Sequence, residues 1–167
     1  MNSNCLLVIG VGNDTRRDDG VGLAVVRRLA ALEDDSFRCA ECDGDALWLL
    51  DLWKDRPFVV VVDAMRSGAE PGTIRRFSPD DARHPSRNAL HSSHAFGIFE
   101  AVRLADALGE SPDRLVLYGV EVEDTGYGDT LTPAVARAVE PLVRRILVEN
   151  ALASLDDVAT ANSVSGR

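Results

Sequence analysis

The sequence predicts an α/β fold, a three-layer α/β/α sandwich around a mostly parallel sheet of five strands with one candidate antiparallel strand at its edge. Three observations carry this. Short apolar runs alternate along the chain with stretches whose apolar residues recur at helical spacing, which is the signature of strands and crossover helices taken in turn. The runs Cys5-Leu6-Leu7-Val8-Ile9 and Phe58-Val59-Val60-Val61-Val62 are apolar without alternation, as parallel strands covered on both faces are. Each run ends in a glycine-rich or charged turn, and such turns collect at the carboxyl edge of an open sheet, where ligands bind.

The first strand falls at roughly residues 5–10. It leads through Gly10-Val11-Gly12-Asn13-Asp14-Thr15-Arg16-Arg17-Asp18-Asp19-Gly20-Val21-Gly22 into a helix at roughly 20–32, on which Val21, Ala24, Val25, Arg28, Leu29 and Leu32 share a face. A second strand is expected at roughly 37–42, after which Asp43-Gly44 turns the chain into a short helix. Ala46, Leu47, Leu49, Leu50 and Trp53 form the core set of that helix, and Pro57 ends the segment. The β-branched run Phe58 to Asp63 is the clearest strand and belongs at the centre of the sheet.

Between Ala64 and His91 the chain is punctuated by Gly68, Pro71, Gly72, Pro79 and Pro85 and reads mostly as loop, with Thr73 to Phe77 as the edge strand. Ser92 or Ser93 then caps an amphipathic helix carrying Phe96, Ile98, Phe99, Val102, Leu104 and Ala105. Leu115 to Val120 is a further parallel strand, followed by the acidic Glu121-Val122-Glu123-Asp124 and the turn Gly126-Tyr127-Gly128. Thr132 as cap and Pro133 as first helical residue open the last helix, which continues through Leu147. Residues 1–155 therefore form one domain, and the aperiodic stretch 156–167 is expected to be a disordered tail.

A net charge of −9 with no basic stripe excludes nucleic acid and an anionic membrane surface as partners. No apolar run is long enough to cross a bilayer and the first residues do not form a secretory signal, so a cytoplasmic protein is expected. Cys39-Ala40-Glu41-Cys42 has redox spacing, but Glu41, Asp43 and Asp45 beside it raise thiol pKa values where a redox thiol needs them lowered. Nor does a second such pair exist to complete a zinc site. Two structural cysteines are expected.

The chemistry gathers at three places. The turn after the first strand lacks the third glycine of a dinucleotide site, and Asp18 and Asp19 at the helix start would repel a pyrophosphate. They suit a cation, unless Asp18 is only an N-cap. Asp63 ends the central strand at the ligand-binding edge; its alternative role is to cap the turn Ala64 to Gly68. His94 falls in the first turn of a helix that starts at the same edge, with His91 as its competitor and His84 as a loop side chain. Two carboxylates and an imidazole suit a divalent transition metal with open coordination positions. Ser93 is a poor nucleophile for His94, since adjacent helical residues point about 100° apart. Arg16 and Arg17 are open to ion pairs with Asp14 or Asp18, or to contact with a partner.

As a set, Gly10-x-Gly12-Asn13 with Asp18-Asp19-Gly20-x-Gly22, the strand ending in Asp63-Ala64, Ser93-His94 before a helix, and Gly119-Val120-Glu121 with Leu131-Thr132-Pro133 resemble the hydrogenase maturation endopeptidases over roughly residues 5–150. The resemblance implies a protease that removes the C-terminal extension of a nickel-iron hydrogenase large-subunit precursor once nickel is inserted. Such a protease is classed as aspartic-type although it carries no conventional protease motif. It further implies that Asp19, Asp63 and His94 contact nickel, which is carried by the precursor, so that a resident metal is not required. A non-catalytic nickel-binding chaperone or sensor using the same residues is the alternative, and a nucleotide-binding domain is a third.

Overall fold

The computed structural model describes residues 5–83 and 95–164. Its sheet has the strand order β2-β1-β3-β5-β4, built from β1 (Leu6–Val11), β2 (Phe37–Cys42), β3 (Phe58–Met65), β4 (Ile74–Phe77) and β5 (Arg114–Glu121). All pairs are parallel except β4 with β5, which is antiparallel. The fold is the one the apolar runs predict, including the reversed edge strand.

Alternation along the central strands divides the core in two. Leu6 and Val8 of β1, Val60 and Val62 of β3, and Val116 and Val120 of β5 face α1 (Val21–Ala30) and α5 (Pro133–Val164). Leu7 and Ile9, Val59 and Val61, and Leu115 and Leu117 face the opposite way, against α2 (Ala46–Trp53) and α4 (Ala95–Leu108). A five-residue helix, α3 (Pro79–Arg83), follows β4.

Two expectations change in detail, and one cap is added. Helix α5 continues to Val164 where a tail was expected beyond 155, because 151–164 contains no glycine or proline and is rich in alanine and leucine, which favour helix even without an apolar stripe. Asp45, just after the expected Asp43-Gly44 turn, caps α2, its carboxylate accepting from the Trp48 N–H at 2.9 Å. The Thr132 carbonyl accepts from the Ala136 N–H at 2.8 Å, but the Thr132 hydroxyl turns away from the helix.

The closest packing lies where α1 begins. A Cβ on Gly22 would run into the carbonyl oxygens of Val11 and Val62, so the helix start rests directly on the ends of β1 and β3. One on Gly12, at φ +152°, would strike the Asp19 carbonyl. Glycine at these positions holds the acidic turn against the sheet's carboxyl edge.

Candidate active site

The segment leaving β1 rises through a 3-10 turn at Arg17–Gly20, entered by Arg17 with φ 46°. Its two aspartates are both buried and serve different ends. Asp18 is 0 % exposed and accepts from Thr132 N (2.6 Å), Thr132 Oγ1 (2.9 Å), Glu123 N (3.0 Å) and Asp124 N (2.9 Å). Those four donors match the acceptor capacity of a carboxylate. Asp18 is thus neither an N-cap of α1 nor a spare metal ligand; it clasps the segment 123–132 onto the turn. Asp19, 4 % exposed, stands next in the chain with its backbone packed on Gly12.

Asp63 is 7 % exposed near the end of β3, opposite Gly119 of β5 and one step beyond the Gly10 and Val62 pair. Alternation puts it on the α4 side of the sheet, where it lines a cavity of about 20 Å³ with Met65, Phe77, Ile98 and Phe99. That is room for about one water. Asp63 Oδ1 accepts from the Ala64 N–H at 2.8 Å. Farther along the turn Ala64 to Gly68 the donors go to Glu121, whose carboxylate accepts from Ser67 N (2.8 Å), Ser67 Oγ (2.8 Å) and Gly68 N (2.9 Å). In sequence Glu121 reads only as part of an acidic loop, although it ends its strand in charge.

Asp19 and Asp63 thus lie at the same edge of the sheet, carried there by neighbouring strands. His84, His91 and His94 lie outside the described residues, as do the caps expected at Ser92 and Ser93. Among the described residues no three His, Cys, Asp or Glu groups form a cluster able to hold a metal. Several N–H groups of the glycine-rich turn are taken within the protein: Gly12 by Cys42 O, Arg17 by Gly128 O, Asp18 by Asp124 O and Asp19 by Arg16 O. Those donors are not open to a pyrophosphate.

The arginines pair otherwise than the sequence suggests. Arg17 bridges to Asp124 at 3.1 Å, and Asp14 goes to Arg27 at 3.0 Å. Cys39 and Cys42 stand three apart on a strand and so occupy opposite faces, Cys39 against the α1 and α5 layer and Cys42 in the α2 and α4 core. Both thiols are free; burial pushes Cys39 up to about 11 and also raises Cys42. Nothing redox-active is built here.

The family model described as hydrogenase maturation protease matches residues 43–149 of the chain. The chain belongs to this family. It is 31 % identical over 145 residues to the hydrogenase expression/formation protein HupD of Thiocapsa roseopersicina, covering 85 % of this chain and 66 % of that protein. The match to HupD of Bradyrhizobium diazoefficiens is also 31 %, over 147 residues, covering 84 % of this chain and 74 % of the relative. The chain therefore spans only about two thirds of the Thiocapsa protein's length. Among solved structures it is similar to the hydrogenase maturating endopeptidase HybD from E. coli, with a TM-score of 0.73 at 26 % identity, covering 87 % of this chain and 91 % of that one.

Proposed function

We propose that this chain is an endopeptidase that removes the C-terminal extension of a nickel-iron hydrogenase large-subunit precursor after nickel insertion, and that the precursor's nickel is its recognition element. The observation that carries the reading is the convergence of Asp19 and Asp63, both buried, on the open carboxyl edge of β1 and β3 in a member of the maturation protease family. A buried carboxylate at such an edge needs a cation, a donor or water. Asp18 and Glu121 are bound to loop N–H groups and serve the fold, and Asp19 and Asp63 are the carboxylates that the family's motif pattern assigns to the substrate-borne metal.

His94, which immediately precedes Ala95 at the start of α4, completes the set that the motif pattern implies. Nickel takes imidazole and carboxylate alongside the precursor's own thiolates. Contact with these side chains positions the peptide bond beside the ion, and water then adds to the scissile carbonyl as the C–N bond breaks. A precursor without nickel lacks one half of the contact set and is spared. Among the described residues no helix is long and apolar enough to cross a membrane, and the cytoplasm is the proposed place of action.

The test is to incubate the protein with nickel-loaded and nickel-free precursor and weigh the precursor by mass spectrometry, repeating with Asp19→Asn, Asp63→Asn and His94→Ala. Loss of a C-terminal peptide from the loaded form alone, abolished by each substitution, is the expected result. An intact precursor whose nickel has moved to this protein would replace the protease by a metal-binding module.

A further inference from the structure

Among the described residues, two guanidinium groups at the carboxyl edge have no carboxylate partner. Arg16 Nε donates to the Thr125 carbonyl at 3.2 Å, and Arg66 Nη2 donates to Thr125 Oγ1 at 3.0 Å. Both side chains belong to exposed residues, and neither is ion-paired among the described residues. Four carboxylates of these segments are committed elsewhere: Asp14 to Arg27, Asp124 to Arg17, and Asp18 and Glu121 to backbone N–H groups. Other arginines of this acidic chain, such as Arg27, Arg28, Arg76 and Arg114, do find carboxylates. Two cations gathered on one residue repel each other, and an anion between them relieves that repulsion.

Their placement ties them to the site. Arg16 lies three residues before Asp19 and Arg66 three residues after Asp63, so the chain segments that carry the two carboxylates also carry the two cations. The loop that joins them bears Tyr127, 88 % exposed. Planar guanidinium groups match carboxylate geometry, and a positive spot on a surface of net charge −9 attracts an anion that the rest of the surface repels.

We propose that Arg16 and Arg66, gathered at Thr125, bind a carboxylate of the precursor peptide, with Tyr127 as an adjoining apolar contact, and so align the peptide across Asp19 and Asp63. The inference rests on the protease reading and names a subsite for it. The carboxylate is either an acidic side chain near the cut or the terminal α-carboxylate of the extension.

Steady-state processing of nickel-loaded precursor at low and high salt tests this, using wild type, Arg66→Gln, the double variant R16Q/R66Q, and Arg137→Gln on α5 as an equal loss of charge elsewhere. The double variant should raise KM on the order of tenfold at low salt with kcat little changed, a gap that closes at high salt, while Arg137→Gln matches wild type. Precursors with amide-substituted acidic side chains or an amidated C-terminus identify the source: the one that raises KM for wild type and not for the double variant supplies the carboxylate. If the double variant does not fold, Arg66→Gln alone decides, since its bond reaches only a side-chain hydroxyl. Equal KM for wild type and the arginine variants overturns the subsite and leaves the protease standing. Failure of wild type to cleave removes both.

Discussion

Asp18 and Thr132 are joined twice, by the Thr132 N–H at 2.6 Å and its hydroxyl at 2.9 Å, across 114 residues of sequence. The bond pair locks the start of α5 to the turn that leaves β1. It also makes Asp18 and Asp19, adjacent and alike in chemistry, separable by experiment.

Asp18→Ala strands four buried or half-buried donors and should cost about 3 kcal/mol or more, since each unsatisfied group costs about 1–3 kcal/mol. In a chain of this size that lowers the melting temperature by roughly 6–12 °C. Asp19→Asn keeps the side chain's shape and removes its charge, exchanging one acceptor oxygen for a donor; it should melt closer to wild type yet lose processing. Thermal unfolding beside the processing assay checks both, and equal melting of Asp18→Ala and wild type would show that the clasp contributes nothing.

How far the sequence reveals this site depends on what absorbs each charge. Asp63 and Glu121 give one signal, a carboxylate ending an apolar strand, and sequence reads both as lying at the ligand edge. Only the register separates them: Glu121 pairs opposite Met65, within reach of the N–H groups of Ser67 and Gly68. Asp18 and Asp19 are likewise equivalent until the 123–132 segment folds over one of them. The sheet was legible because apolar runs and helical spacing are local patterns. The sorting of carboxylates into clasps and candidate ligands was not, because it depends on loops that meet only in three dimensions. Glu149 was missed for a related reason, as an acidic residue in a long helix carries no mark of the arginines waiting beneath it.

Gly22→Ala sets two effects against each other. Alanine in a helix gains about 1 kcal/mol over glycine. Here the added Cβ meets the carbonyl oxygens of Val11 and Val62, backbone atoms of the two central strands that cannot rotate away. Overpacking of this kind costs about 1–3 kcal/mol, so the variant should be destabilised on balance and should also push the Asp19 turn away from Asp63. Chemical denaturation and the processing assay read the two consequences, and a variant more stable than wild type would refute the close packing.

Cys39 and Cys42 should be silent. With burial holding Cys39 up at about 11 and raising Cys42 as well, little thiolate exists near neutral pH. Alkylation of the native protein at pH 8 should leave both largely unmodified by mass, and Cys39→Ser with Cys42→Ser should process precursor like wild type. Rapid labelling of either would contradict the packing of β2.

Stability should fall at both ends of the pH scale through one network. Glu149 accepts from Arg76 Nε (2.6 Å), Arg114 Nη2 (2.8 Å) and Tyr118 OH (3.0 Å), tying α5 to β4 and β5. Burial pushes its carboxyl up, but the bonds from Arg76 and Tyr118, the Arg76 charge and the bond from Arg114 outweigh this and hold it below the usual 4.5. A carboxyl depressed on folding stabilises above its unfolded value and loses that contribution as pH falls through the folded one, so Glu149 gives an acid limb below about pH 4.5. Tyr118 moves the other way. Burial, then the Glu149 charge, raises it from 10.0 to about 12, so its contribution is complete below pH 10 and is lost as pH climbs towards 12. Tyr118→Phe should therefore flatten the alkaline limb and leave the acid limb in place, whereas Glu149→Gln should flatten the acid limb at a lower overall stability, because two arginines then face a neutral amide. Denaturation midpoints between pH 3 and pH 12 separate the limbs; an alkaline limb unchanged in Tyr118→Phe would assign it to another group.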